Sequence, residues 1–412
     1  VLILAGGLAT LWRQRSSHTR NLIRWSVVGV TLIFILGVSA YADYNIFANP
    51  AFARTDFRGA ARYVGKHMSP NETIILSSGH MHPVFDYYAP GMERLLLPDS
   101  PTLDTTRTLD YSIAADLNDW LRGRDGVWLV LWQDEVVDPA GYLPTMLAEI
   151  AEEQTIDRSF AEVELRHYRL PADSMFSDQP VISHPADLNF GNQLQLLGYS
   201  QTGDHQVTLF WQALQPLEQD YRISLVLRDT EGQEWGRWDG RPTAYFYPTD
   251  RWQVGQIVFG RHNLTPIPGT PPGDYGLDIG VYTEGEPTGL DLLDPVGAPQ
   301  GKRAMLGTVR LSVPTITPGQ AKTSHPDQID MGGGLTLIGW DIDRDRAQPG
   351  DRLRVTLFWS VESQPEDDYH VRLLVTEAGG QALDAGAFPP TNIWHPTSTW
   401  KEGQAWRGQA TF

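Results

Sequence analysis

The sequence predicts a multi-domain protein: a C-terminal transmembrane helix or helices, then an α/β domain with a mostly parallel sheet, then two β-sandwich repeats, the second truncated. Three observations predict it. An uncharged run of 17 residues extends from Trp25 to Tyr41. Helical and apolar-strand patterns alternate between about residues 52 and 171. A gapless duplication relates residues 207–264 to 355–412, with 19 identities in 58 positions.

The membrane elements come first. Residues 1–12 are apolar without a cleavage-site pattern and read as the end of a transmembrane helix. Residues 13–24 form a basic loop, and 25–42 a transmembrane helix of a length that just crosses a hydrocarbon layer of roughly 30 Å. Ile, Leu, Val and Phe occupy every face of that helix rather than one stripe, which separates it from an amphipathic core helix. Trp25 and Tyr41 sit at its ends, where interfacial aromatics belong. The first 42 residues hold Arg13, Arg15, Arg20 and Arg24 and no acid, so the positive-inside bias puts the loop in the cytoplasm. The expected location is the cell membrane, with everything after about residue 43 extracytoplasmic.

Composition narrows the partners. The chain has 32 Lys plus Arg against 50 Asp plus Glu, so the part after residue 42 holds 28 bases and 50 acids, a balance of -22. Such a surface repels nucleic acid and anionic lipid headgroups, and nucleic acid is excluded as a partner. Cysteine is absent, which removes disulfides, zinc ribbons and thiol nucleophiles together. The membrane bilayer is the partner the sequence implies directly, and no cofactor is implied.

Residues 52–171 read as the α/β domain. Small and apolar residues at helical spacing precede a Pro-Asn turn and a strand at Thr73 to Ser78. A helix around Ile113 to Arg122 then feeds the apolar strand Val127 to Trp132, and a third helix, Tyr142 to Gln154, leads to a last strand near Glu162 to Leu170. This order predicts parallel pairing, with ligands beyond the carboxyl ends of the strands. His80 and His82 follow the first strand and Asp134 the second, so they are candidate substrate-binding residues, together with Tyr87, whose ring could stack on a sugar. Two histidines and a carboxylate make a weak metal pattern, and a polar loop lining is the better reading; no metal site and no catalytic residue is assigned. No nucleophile elbow, P-loop or dinucleotide glycine pattern occurs.

The segments DFRGAARYV (56–64), ETIILSS (72–78), PVFDYYAPG (83–91) and GVWLVLWQDE (126–135), placed after a last transmembrane helix, resemble the C-terminal region of glycosyltransferase family 39 proteins. These are bacterial relatives of the dolichyl-phosphate-mannose protein mannosyltransferases. The resemblance covers about residues 1–170. It implies a parent integral-membrane glycosyltransferase with a polyprenyl-phosphate-linked sugar donor and a glycan or protein acceptor. It also implies that the catalytic acid lies in an earlier extracytoplasmic loop, so these residues form a non-catalytic C-terminal part. The alternative is a membrane-anchored surface protein whose β-sandwich modules bind carbohydrate or act as spacers.

The repeats occupy 187–313 and 328–412. Val207 to Trp211 matches Val355 to Trp359, and a Pro-Thr-x-x-Trp-x-x-Gly-Gln frame at Pro248 to Gln256 recurs at Pro396 to Gln404. Short strands with Asp, Gly and Pro between them indicate a sandwich. Trp211 and Trp359 lie in phase with core positions, and Trp252 and Trp400 belong to the recurring frame, which reads as a structural corner. Trp235 and Trp238 have no aromatic counterpart in the second copy and are the candidate carbohydrate platform.

Overall fold

The computed structural model describes residues 18–49, 54–312, 316–348, 350–376 and 382–411. The predicted helix end at 1–12 lies outside them. So does the first part of the basic loop. Its remainder is helical, because the helix begins at His18 and runs unbroken to Phe47. No proline or glycine pair interrupts the sequence there, so nothing stops the apolar helix at Tyr41. Trp25–Phe47 is one helix long and apolar enough to cross a membrane, and none of it is buried against the rest of the protein.

Beyond this helix the chain is β-rich and divides into two compact units. The first contains the N-terminal residues to Leu103, Trp120–Gln133 and Leu147–Ser174. The second contains Asp104–Asp119, Asp134–Met146 and everything from Met175.

The first unit is built on a five-stranded sheet of order β2-β1-β3-β5-β4. Its strands are β1 (Glu72–Ser77), β2 (Arg94–Leu97), β3 (Gly126–Leu131), β4 (Glu152–Gln154) and β5 (Glu164–Arg169). β1 pairs in parallel with β2 and β3, but β5 runs antiparallel to both β3 and β4. The sheet is therefore mixed, and the expectation of a mostly parallel sheet is corrected. The cause is local: the third helix ends at Ile150, and Glu152–Gln154 forms a short strand that turns back as a hairpin with β5. β1 and β3, buried on both faces, read as continuous apolar runs. The helix Phe57–His67 packs Phe57, Ala60, Ala61 and Val64 against them, and the Asp56 carboxylate caps it by accepting from the Gly59 N–H at 2.8 Å.

In the second unit, two antiparallel sheets share one core. One has the order β10-β9-β12-β15, from Glu234–Gly240, Arg222–Arg228, Gly273–Tyr282 and Arg303–Leu311. The other has the order β11-β8-β7-β6-β13-β14, from Ile257–Asn263, Gln206–Ala213, Leu194–Thr202, His184–Phe190, Leu292–Leu293 and Pro299–Gly301. Leu209, Trp211 and Val258 from one sheet meet Ile223, Leu225, Leu277 and Ile279 from the other. The two layers are sandwich-like, as the strand spacing predicts. Among the described residues, the second copy has the four-stranded sheet β16-β17-β18-β21 (His325–Gly332, Leu335–Ile342, Arg354–Val361, Ala405–Thr411) and the hairpin β19–β20 (Val371–Thr376, Ala382–Phe388). Its strand order repeats that of β6, β7, β8 and β11.

The recurring frame is a corner with the same bonds in both copies. Thr249 Oγ1 accepts from the Tyr221 N–H at 2.7 Å and donates to the Gln219 carbonyl at 3.0 Å. Thr397 does the same with Tyr369 and Asp367, at 2.8 Å each. The Trp252 and Trp400 indoles are buried and donate to the carbonyls of Tyr247 and His395. Gly255 and Gly403 hold φ of 81° and 80°, where a side chain would be strained. Gly260 and Gly408 lie against the carbonyls of Pro242 and Pro390, leaving no room for a Cβ. A further correspondence lies upstream: His184 stacks on Tyr199 with ring centroids 4.6 Å apart, as His325 stacks on Trp340 at 4.0 Å.

Replacing Thr249 with Val leaves the buried Tyr221 N–H without an acceptor. The expected cost to the second unit is about 1–3 kcal/mol. Denaturant unfolding followed by tryptophan fluorescence measures it, and Thr249→Ser is expected to recover most of the loss.

Candidate functional site

The residues predicted beyond the strand ends follow β1 and β3 on turns and short helices. Gly79–Met81 is a single 3-10 turn and His82–Tyr88 a helix with Pro83 in its first turn, so His80 and His82 do not share a strand face. His80 packs beside Trp132 with ring centroids 5.5 Å apart, and burial lowers its pKa, favouring the neutral ring. His82 Nδ1 lies 3.3 Å from Asp86 Oδ2, and Arg94 donates to the same oxygen at 2.5 Å. Tyr87 is exposed, edge-on to Tyr88 at 5.0 Å. Asp134 opens the short helix Asp134–Val137 and belongs to the second unit. Among the described residues, no group of three or more His, Cys, Asp or Glu is placed to hold a metal ion.

Sequence reasoning missed a half-buried polar group in the same unit. Glu72 accepts from the Trp128 indole at 2.8 Å and the Ser69 N–H at 2.9 Å, and its other oxygen lies 2.9 Å from His167 Nε2. Burial pushes its pKa up, but these hydrogen bonds outweigh burial and hold it below the usual carboxylate range. His167 stacks on Trp128 at 4.0 Å, so the cluster ties β1, β3 and β5 together and is structural.

The predicted platform is corrected at Trp235. Trp235 is 0% exposed, sits in the core of the first copy and donates its indole N–H to Asp229 at 2.7 Å. A ring with no open face offers nothing to a sugar. Trp238 is half-buried, packs against that core and covers His262 with ring centroids 4.3 Å apart. Burial pushes the His262 pKa down to about 4, so the ring it covers is neutral.

A recurring exposed apolar pair lies instead in the loop that enters each corner. Tyr245 and Phe246 are 73% and 60% exposed, and at the equivalent positions Ile393 and Trp394 are 65% and 54% exposed. Buried corner residues on both sides hold these apolar pairs out: Thr243, Tyr247 and Thr249 in one copy, and Thr391, His395 and Thr397 in the other. The signal was in the alignment, since Phe246 and Trp394 correspond, but sequence alone does not separate an exposed recurring aromatic from a buried one.

Trp394 lines a small cavity of about 190 Å³ within the second unit. The turn Asp229–Glu231, the start of β12 at Asp274 and Tyr275, and Asn392 face it. Asn392 donates to the Tyr275 hydroxyl at 3.2 Å. Two hydrogen bonds from Arg310, at 2.7 and 2.8 Å, hold the Asp274 carboxyl below its usual pKa and so ionised. An exposed indole beside carboxylate and amide acceptors can stack on the C–H face of a pyranose while accepting from its hydroxyls.

No family model matches the chain, and no curated protein matches it. Among solved structures, the chain is similar to β-glucuronidase from Ruminococcus gnavus in complex with an N1-substituted uronic isofagomine, at 11% identity, 38% of this chain, 22% of the enzyme and a TM-score of 0.13. The same enzyme in complex with D-glucuronic acid gives 9% identity, 47% and 23% coverage and a TM-score of 0.12. The chain thus spans under a quarter of that enzyme's length, and at these TM-scores neither fold nor function is argued from the likeness.

Two outcomes separate the packing aromatics from the presented ones. Trp400→Ala is expected to destabilise the second unit by about 3–5 kcal/mol, whereas Trp394→Ala changes its stability by less than about 0.5 kcal/mol. Thermal melts of the two variants measure the difference. A pH dependence arises from His395, whose pKa burial pushes down to about 4 from an ordinary 6.5. As pH falls through that window the unfolded chain takes up a proton that the folded chain refuses, so this contribution is full above 6.5 and is lost toward 4. His395→Tyr, which installs the residue found at the matching Tyr247, is expected to melt progressively later than the parent as pH is lowered through that range.

Proposed function

We propose that the chain is the extracytoplasmic arm of a membrane protein, held by the helix Trp25–Phe47 in the cell membrane with the residues after about 43 outside, and that its β modules engage carbohydrate. The helix, apolar on every face and covered by nothing, is the observation that carries the reading. An α-helix of 23 residues is about 35 Å long, enough to cross a hydrocarbon core. The four arginines before it and the acidic chain after it support the orientation.

The resemblance of residues 1–170 supports a finer reading. In it the arm is the non-catalytic C-terminal part of an integral-membrane glycosyltransferase that uses a polyprenyl-phosphate-linked sugar, and the modules handle a glycan or protein acceptor while transfer occurs elsewhere. A membrane-anchored surface protein that binds or spaces carbohydrate without any transferase is the second reading. The recurrence of an exposed apolar pair in both copies favours it.

Reading the gene upstream of the Val1 codon decides between the two. Further apolar helices with an acidic outer loop are expected for a transferase, and a start codon close to Val1 refutes it. Carbohydrate engagement is checked by retention of the detergent-solubilised chain on immobilised polysaccharides from the envelope of its host. Retention is expected for the parent and at least about ten-fold less for Trp394→Ala, the scale of losing one well-placed contact. Equal retention of parent and variant removes Trp394 from the site.

A further inference from the structure

The part of the chain after residue 42 carries a balance of -22, yet one helix face runs against that charge. Arg58, Arg62 and Lys66 are spaced four residues apart on Phe57–His67, opposite the face that buries Phe57, Ala60, Ala61 and Val64. All three are exposed, and together with Arg158 they line an open concavity of about 750 Å³. The two acids at its edge are occupied: Asp56 accepts from the Gly59 N–H at 2.8 Å, and Asp157 accepts from the Tyr63 hydroxyl at 2.7 Å. Among the described residues, none of the four bases has a carboxylate within ion-pair distance. Arg94, Arg228, Arg241 and Arg310, by contrast, each pair with an acid. In so acidic a chain, four unpaired bases gathered in one hollow are a site for an anion supplied from outside.

The position of the helix narrows that anion. Only nine residues separate Phe47, where the apolar helix ends, from Phe57. A fully extended link of that length reaches at most about 35 Å. The hollow is therefore tethered beside the membrane surface, where phosphate-bearing headgroups are the concentrated anions. We propose that Arg58, Arg62, Lys66 and Arg158 bind the phosphate headgroups of anionic phospholipids in the membrane that holds the chain. The flanking Tyr63 and His67 rings, with centroids 4.1 Å apart, form the floor between the bases. This rests on the membrane anchoring proposed above. Each Lys or Arg near an anionic surface strengthens attachment about five-fold, and rising salt removes the effect.

Because the chain has no cysteine, Ser69→Cys provides a unique labelling position just beyond the helix. The full chain with bimane at this position is placed in nanodiscs of phosphatidylcholine, or of phosphatidylcholine with phosphatidylglycerol, each containing a headgroup-region spin-labelled lipid. Stronger quenching is expected in the anionic discs. It should fall as chloride is raised and be lost in the Arg58→Gln/Arg62→Gln/Lys66→Gln variant, whose melting is expected to match the parent because the three side chains are exposed. Arg158→Glu, on a different segment, is expected to weaken the quenching independently. Entry into both discs with equal quenching overturns the headgroup proposal alone. Failure to enter either disc overturns the anchoring and the proposal with it. Loss of quenching on adding inorganic phosphate, beyond that caused by chloride of equal ionic strength, assigns the hollow to free phosphate and also overturns it.

Discussion

The second unit depends on a hydroxyl. Thr249, fully buried, receives a backbone N–H from the segment before β9 and returns its own proton to a carbonyl two residues earlier, and Thr397 repeats this in the next copy. An irregular backbone crossing that would otherwise bury an orphaned donor and acceptor is thereby satisfied on both counts. With the crossing fixed, Trp252 and Trp400 fall into their cores, and the following strand leaves in register with β8 or β18. The apolar pair on the approaching loop then has nowhere to go but outward.

Much of this was legible because the chain states it twice. A side chain that recurs in a fixed frame across two otherwise diverged copies is held by geometry, which is why Trp252 and Trp400 read as corner residues and are buried as such. The apolar phase of VTLFW placed Trp211 and Trp359 in the core for the same reason that alternate strand residues share a face. The mixed sheet of the first unit was harder. Its central strands look alike whatever the direction of their neighbours, and the distinguishing signal was short: the three residues of β4 are hidden at the end of a helical pattern.

The sites were less legible than the fold. Trp235 lacked a partner in the second copy, and that absence suggested a free role, yet its indole is held inside by Asp229. Lack of recurrence marks difference, not exposure. His80 and His82 read as a loop lining beyond β1, and Pro83 in the first turn of a helix sets them on a bend there. The cationic face of Phe57–His67 was present in the helical spacing all along, but the charge total of the whole chain concealed it.

The corner has one more effect. The threonine bonds at its centre lie within Gln219–Gly260 in one copy and within Asp367–Gly408 in the other. Tandem duplication of its coding segment carries these bonds into each copy, and neighbouring copies add bonds of their own, such as that from the Arg407 N–H to the Gly269 carbonyl at 2.9 Å. Length then becomes a quantity that a genome can adjust in fixed steps, and the outward apolar pair is free to drift from Tyr245-Phe246 to Ile393-Trp394 because nothing in the core reads it. The same scaffold that keeps the modules alike thus leaves their contact residues open to change.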